Sequence, residues 1–257
     1  MKTLLLATAA VAAFAAAPAM AQDVVGSAGI TLNHTQFEAS GLGVEADTDG
    51  FAIDAGVAIP VGEAWTVTLD GVFGYTANEQ TANDTAFSGR VHGSTLFGDT
   101  RVAGFIGGAE AADEQLWSGG AQVQQYMDKV TLTGSVAYET IDEFDVDAWT
   151  VGGDAAYFIN PDFRVNAGAA WTTIDFSGFE TDAWQANIGG EYRVPNSDLS
   201  VTAGFNHAEL EDADATIDTF MVGVRISFGG GTLQSRERAG ADLGRTVVGA
   251  GSFAGAL

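Results

Sequence analysis

Phe220-Met221-Val222-Gly223-Val224-Arg225-Ile226-Ser227-Phe228 decides the fold. Large apolar side chains take every second position, and Met221, Gly223, Arg225 and Ser227 take those between. Successive side chains of an extended chain point to opposite faces, so this is a strand with one apolar and one mixed, polar face. The same plan recurs upstream. Trp65, Val67, Leu69, Gly71, Phe73 and Tyr75 alternate with Thr66, Thr68 and Asp70. Trp184, Ala186, Ile188, Gly190 and Tyr192 alternate with Gln185, Asn187, Glu191 and Arg193. Twelve such segments are expected, near 23–37, 50–60, 64–77, 85–97, 100–109, 115–127, 129–139, 146–159, 163–175, 182–194, 199–208 and 216–228. At 100–109 the face assignment is ambiguous, because Val102 and Ile106 compete with Ala103 and Phe105 for the outer side.

The connections alternate as well. Five are tight and carry turn residues: Pro60–Glu63, Gly98–Thr100, Asp128, Asn160–Asp162 and Pro195–Asp198. The other six are longer and polar. An even strand count with short turns at one end and longer loops at the other marks a barrel of the outer-membrane type. The fold class is therefore all-β: one transmembrane, antiparallel, up-and-down barrel of about twelve strands, with short periplasmic turns and longer acidic extracellular loops. Aromatic residues fall in two belts. Phe51, Tyr75, Phe87, Trp117, Tyr138, Trp149, Trp171, Trp184, Phe205 and Phe220 lie at the loop ends, and Trp65, Phe97, Tyr157, Phe163, Tyr192 and Phe228 at the turn ends. At about 3.3 Å per residue and a tilt of about 40°, the belts stand roughly 20–25 Å apart, the height of an outer-membrane apolar band.

The N-terminus assigns the compartment. Met1-Lys2-Thr3, an apolar run from Leu4 to Ala17 and the small residues before Gln22 have the form of a signal peptide, residues 1–21, cleaved after Ala21. The barrel then occupies 22–228, and a Gly/Ala-rich tail 229–257. Composition excludes several classes. A formal charge of −24 leaves no basic face for nucleic acid, and the absence of Cys excludes disulfide scaffolds and thiolate chemistry. No loop has the spacing of a calcium site, so no metal or other cofactor is expected.

The signal peptide, the hairpin ladder and the strand Phe220-x-Val222-x-Val224-x-Ile226-x-Phe228 resemble the outer-membrane barrels and porins of Gram-negative bacteria. The resemblance implies a cell outer-membrane location, contact with lipid and lipopolysaccharide, and diffusion of solutes rather than enzymatic turnover. It also implies that the terminal strand is the assembly signal read by the barrel-insertion machinery. One departure is plain: such chains usually stop at the final Phe, whereas this one continues for 29 residues beyond Phe228.

Candidate functional residues follow from the faces. The inner face reads as polar throughout, and its charged members Asp54, Asp70, Arg90, His92, Asp154, Arg164, Glu191, Arg193 and Arg225 are the expected pore lining. The six long connections with their flanks hold 22 of the 34 acidic residues and no Lys or Arg. Asp47, Asp49, Asp142, Glu143, Asp145, Asp147, Glu211, Asp212 and Asp214 are thus expected to form an acidic mouth that attracts cations. Small residues on the outer face, among them Gly71, Gly93, Gly134, Gly153 and Ala169, suggest a self-association surface and a homo-oligomer. The expected function is a porin-like channel for small hydrophilic solutes, preferring cations. The alternative is a non-conducting surface barrel with an adhesive or envelope-structural role. A hydrolase resembling an outer-membrane phospholipase ranks below both, because no Ser accompanies His34 or His207 in the strand pattern. Two placements are open for the tail: folded back as a plug drawn by lumen carboxylates, or hanging as a disordered periplasmic appendage. The Gly/Ala composition favours the second.

Overall fold

Alternating sequences of this kind leave a row of unpaired backbone groups at each sheet edge, and lipid offers those groups no partner. The sheet must therefore close. The computed structural model describes residues 24–245, apart from 42, 78–83, 112–113, 142–145, 177 and 212–213. The proposed signal peptide and its cleavage site lie outside the described residues. Within them, twelve antiparallel strands form a closed barrel in which each strand pairs with its sequence neighbours, and the last pairs with the first. The strands are β1 (Val25–Ala39), β2 (Val44–Val61), β3 (Trp65–Ala77), β4 (Asp84–Phe97), β5 (Thr100–Ala111) and β6 (Glu114–Tyr126). They continue as β7 (Val130–Ile141), β8 (Val146–Asn160), β9 (Phe163–Phe176), β10 (Phe179–Arg193), β11 (Leu199–Leu210) and β12 (Ala215–Phe228).

The outer wall is apolar, as the alternation requires. Phe220, Val222, Val224 and Ile226 are each about half exposed, as are Trp117, Trp149 and Trp171 at one end and Trp65, Phe97 and Tyr157 at the other. Neighbouring rings join within the belts, for example Phe205 with Phe220 at 4.8 Å and Phe163 with Tyr192 at 5.7 Å between centroids. The ambiguous strand is resolved: Arg101, Ala103 and Phe105 are buried inside, while Ile106 stands 71% exposed on the wall. Phe105 turns inward because the inner side of the neighbouring strand offers it an open seat at Gly120, beside His92 at 5.3 Å.

Two features differ from the sequence reading. First, the strands overrun the stretches read as long loops: β2 begins at Val44 rather than near 50, and β10 begins at Phe179, paired with Phe176 of β9. Cross-strand hydrogen bonding persists past the apolar band into water, so carboxylates that break the hydrophobic pattern still sit in ladder. Second, the inner face is not polar throughout. Near the loop end Ala183, Ala208 and Ile217 form a buried cluster with Phe37, Ile174 and Leu210 packed against it. These residues alternate in phase with the polar lining, and their apolar character marks mutual packing inside the barrel rather than contact with lipid.

Candidate functional site in the barrel lumen

The lumen is built from short polar side chains and a few long charged ones. Gly29 of β1 pairs with both Arg225 and Asp54, and the lack of a side chain there lets those two meet. The Arg225 guanidinium donates to Asp54 at 2.7 Å and to Ser27 Oγ at 3.1 Å. On the adjoining strands β3 and β4, buried His92 is bound to Asp70, Nε2 to Oδ2 at 2.8 Å. Asp154 accepts from Asn166 at 3.3 Å. Glu191 is fully buried, with Ser200 Oγ donating to it at 2.6 Å and Arg164 3.4 Å away. Eight of the nine expected lining residues thus have partners on the inner side of the wall or in what fills it. Arg193 instead lies at the turn end, where it is tied to the Ser197 carbonyl at 2.7 Å and to Asp198 at 2.9 Å.

What fills the lumen is the chain's own tail. The expectation of a disordered appendage does not hold for residues 229–245. The backbone reverses at Gly229, whose φ of +76° and overlap with the Val24 carbonyl exclude a side chain. Thr232 then caps a short helix, α1 (Leu233–Arg238), in a capping box: its Oγ1 accepts from Ser235 N while Ser235 Oγ accepts from Thr232 N. A 3-10 turn follows at Leu243–Arg245. Leu233 packs on Ala156 and Phe158. Arg236, completely buried, donates to Glu191 at 2.8 Å, to Asp242 at 3.1 Å and to Ser227 at 2.8 Å. Arg245 adds a contact to Glu191 at 3.1 Å, and Arg164 reaches Glu237 and Asp242 at 3.4 Å.

The backbone of the tail is satisfied by the opposite wall. Thr68 of β3 donates to the Gly240 carbonyl at 2.9 Å, Arg101 of β5 to Arg238 at 2.8 Å, and Gln122 of β6 to Leu243 at 3.2 Å. Arg90 of β4 reaches the Gly244 carbonyl at 3.2 Å. The segment therefore bridges the interior, from β9, β10 and β12 on one side to β3, β4, β5 and β6 on the other. Burial alone would raise the Asp242 carboxyl, but Arg236, Arg245 and Arg164 overcome it and hold the group down to about 2. For Glu237, burial pushes the carboxyl up; Arg164 opposes this, and Asp242 adds to the rise.

Sequence reasoning did not assign Arg101 or Glu139, both buried, to the interior, and it ranked the plug placement of the tail second to a disordered one. The tail did carry a signal, since Gly229-Gly230-Gly231 followed by Thr232-x-x-Ser235 is a hinge and a cap.

The expected acidic mouth is arranged differently. Asp49 lies on the outer face of β2, with its Oδ1 2.9 Å from His34 Nδ1. Asp47 and Asp147 share their outward faces with Ile53 and Trp149, and Tyr138 donates to Asp147 at 2.6 Å. Glu211 and Asp214 lie in the connection before β12, joined by a backbone hydrogen bond of 3.3 Å. Asp142, Glu143, Asp145 and Asp212 lie outside the described residues. Asp47, Asp49 and Asp147 thus belong to a collar on the outer wall above the upper aromatic belt. His207 belongs to it, with Nδ1 2.6 Å from Asp218 and its ring 5.0 Å from that of Trp184. Among the described residues, the side-chain partner of each outer histidine is a carboxylate rather than a hydroxyl.

A closed twelve-stranded barrel with an apolar belted wall and a charged interior defines an outer-membrane channel protein, set in lipid and lipopolysaccharide. The chain belongs to the porin subfamily, whose pattern it matches over residues 7–205. No curated protein matches it. Solved structures share the fold at low identity. An outer-membrane channel from Pseudomonas putida F1 is 8% identical with a TM-score of 0.61, over 81% of this chain and 97% of that one. The NanC porin is 10% identical with a TM-score of 0.55, over 77% and 100%. The translocator domain of the autotransporter NalP from Neisseria meningitidis is 16% identical with a TM-score of 0.52, over 81% and 90%.

Proposed function

We propose that this barrel is a non-enzymatic, passive diffusion channel for small hydrophilic solutes, with a preference for cations. The observation that carries the reading is the charged inner wall, Asp54, Asp70, Asp154 and Glu191 against Arg90, Arg164 and Arg225, in a barrel of the porin subfamily. These charges nearly balance, so cation preference arises at the loop end. Two unit charges about 8 Å apart in water interact by roughly 0.5 kcal/mol, and the screening length is also about 8 Å at physiological salt. A few carboxylates acting together give on the order of 1–2 kcal/mol, or about tenfold enrichment of a monovalent cation. The collar and the connections above it supply those carboxylates.

The test is a reversal potential across a planar bilayer under a salt gradient. Cation preference that weakens as salt rises is expected, as is a lower permeability ratio when Asp142, Glu143, Asp145 and Asp147 are neutralised together. An anion-selective wild type would reject the reading. The filled lumen favours one alternative, a non-conducting surface barrel; it predicts no conductance in any folded variant. For partners, the reading includes the barrel-insertion machinery, which would recognise β12 although Phe228 is followed by Gly229, and a second copy of the chain. Gly93 and Gly134 support the latter, since each leaves open space on the outer wall.

A further inference from the structure

We propose that residues 229–245 are a gate: docked, they close the periplasmic half of the lumen, and withdrawn, they open it. The proposal rests on the channel reading above and names how that channel is regulated. Three observations carry it. The segment bridges the interior between opposite walls, so it obstructs the path rather than lining one side of it. It is attached through Gly229-Gly230-Gly231 at the turn end, with φ values of +76° and +37° at the outer two, so the swing is confined to a few residues. Its attachment is mainly ionic and hydrogen-bonded. Leu233, against Ala156 and Phe158, and Leu243 are the two large apolar side chains it buries, whereas Arg236, Glu237, Asp242 and Arg245 all end on charged partners. Such contacts exchange for water when a lumen hydrates, because the desolvation they cost offsets much of their attraction. None of the barrel's backbone ladder needs to break for the segment to leave.

Charge points the same way. The segment carries Arg236, Arg238 and Arg245 against Glu237 and Asp242, a net of +1, and its deepest guanidinium sits on Glu191 of the wall. Arg236 is therefore the latch. Glu191 without it keeps Arg164, so the empty barrel retains a paired carboxylate and a stable wall.

Because the chain has no Cys, Ala241→Cys gives a single thiol at a position 2% exposed when docked. Three proteins are compared in planar bilayers and proteoliposomes: this reporter, the reporter with Arg236→Ala, and a chain ended after Phe228. Folding of each is checked by the mobility shift on boiling. Expected is a low mean conductance for the reporter, with brief openings to the level of the truncated barrel and slow labelling by a membrane-impermeant maleimide. Arg236→Ala should raise both the open fraction and the labelling rate several-fold. Equal conductance in all three, steady closure without openings, or rapid labelling of the reporter would each overturn the gate. If the folded, truncated barrel does not conduct at all, the channel reading itself fails, which is a different result from a conducting wild type with an idle tail.

Discussion

Phe105 shows how one side chain fixes a strand. It fills the inner side of β5 between His92 and Ala137, and a Cβ built on Gly120 would lie 2.6 Å from its ring. Gly120→Ala must push the ring out of that seat and also shift β6 against β7, because the new Cβ would meet the Val136 carbonyl as well. The expected cost is about 1–3 kcal/mol, the usual range for overpacking, read as a lower unfolding temperature in detergent. Gly134→Ala, where a Cβ meets nothing within 4 Å, is the control and should be nearly silent. At the same scale, the two tail carboxylates respond oppositely to pH. The Asp242 carboxyl is lowered to about 2, so its contribution to docking is present above its ordinary value of 3.8 and lost as pH falls toward 2. The Glu237 carboxyl is raised, so its contribution is present below its ordinary 4.5 and lost as pH climbs through the docked value. Docking should thus be tighter near pH 4.5 than at neutrality and should weaken again in strong acid. The labelling rate of the Ala241→Cys thiol, corrected for its intrinsic pH dependence, measures this; Glu237→Gln should remove the loosening at neutral pH.

At the scale of elements, the strand extensions beyond the aromatic belt oppose like charges. Asp147 of β8 faces Asp175 of β9, and Asp175 faces Glu180 of β10. Like charges directly opposite destabilise a ladder, by about 0.2–1 kcal/mol per pair. Asp175→Asn removes both repulsions and keeps an acceptor for the Gly178 N–H, which Asp175 binds at 3.3 Å. It should stabilise the barrel by roughly 0.5–1 kcal/mol at low salt and by much less near 1 M salt, where screening has already relieved the repulsion. Thermal unfolding at the two salt concentrations checks it. These extensions also show where sequence reading stopped. The central part of each strand was legible because lipid enforces strict alternation there. Past the belt both faces meet water, alternation carries no cost, and Val44–Asp49 or Phe179–Thr181 looks like loop although it pairs as strand.

For the molecule as a whole, strand count, antiparallel order and closure were all readable, since a membrane sheet with free edges has no stable form. A closed barrel should migrate faster on a gel before boiling than after it and should need detergent to stay in solution. The charged inner face was largely readable too, because Asp70, Arg90, His92 and Glu191 interrupt apolar alternation on one face only. The filling was not. Phe37, Ile174 and Ile217 look like wall residues until the register turns them inward, and a Gly/Ala-rich tail has too little apolar character to announce a docking site. Its affinity comes from Glu191 and Arg164, 45 and 72 positions upstream of Arg236 in the chain.

The covalent junction at Gly229 has a consequence for how tightly this segment must bind. A ligand joined to its site by a few residues experiences an effective concentration on the order of millimolar. Occupancy is then independent of how much protein is present, and an intrinsic dissociation constant as weak as about 0.1 mM still leaves the site roughly nine-tenths filled. Such weakness suits something that must leave often. A synthetic peptide of residues 229–245, added from the turn side to barrels ended at Phe228, should therefore half-block them only near about 0.1 mM and block nine-tenths of them only near about 1 mM.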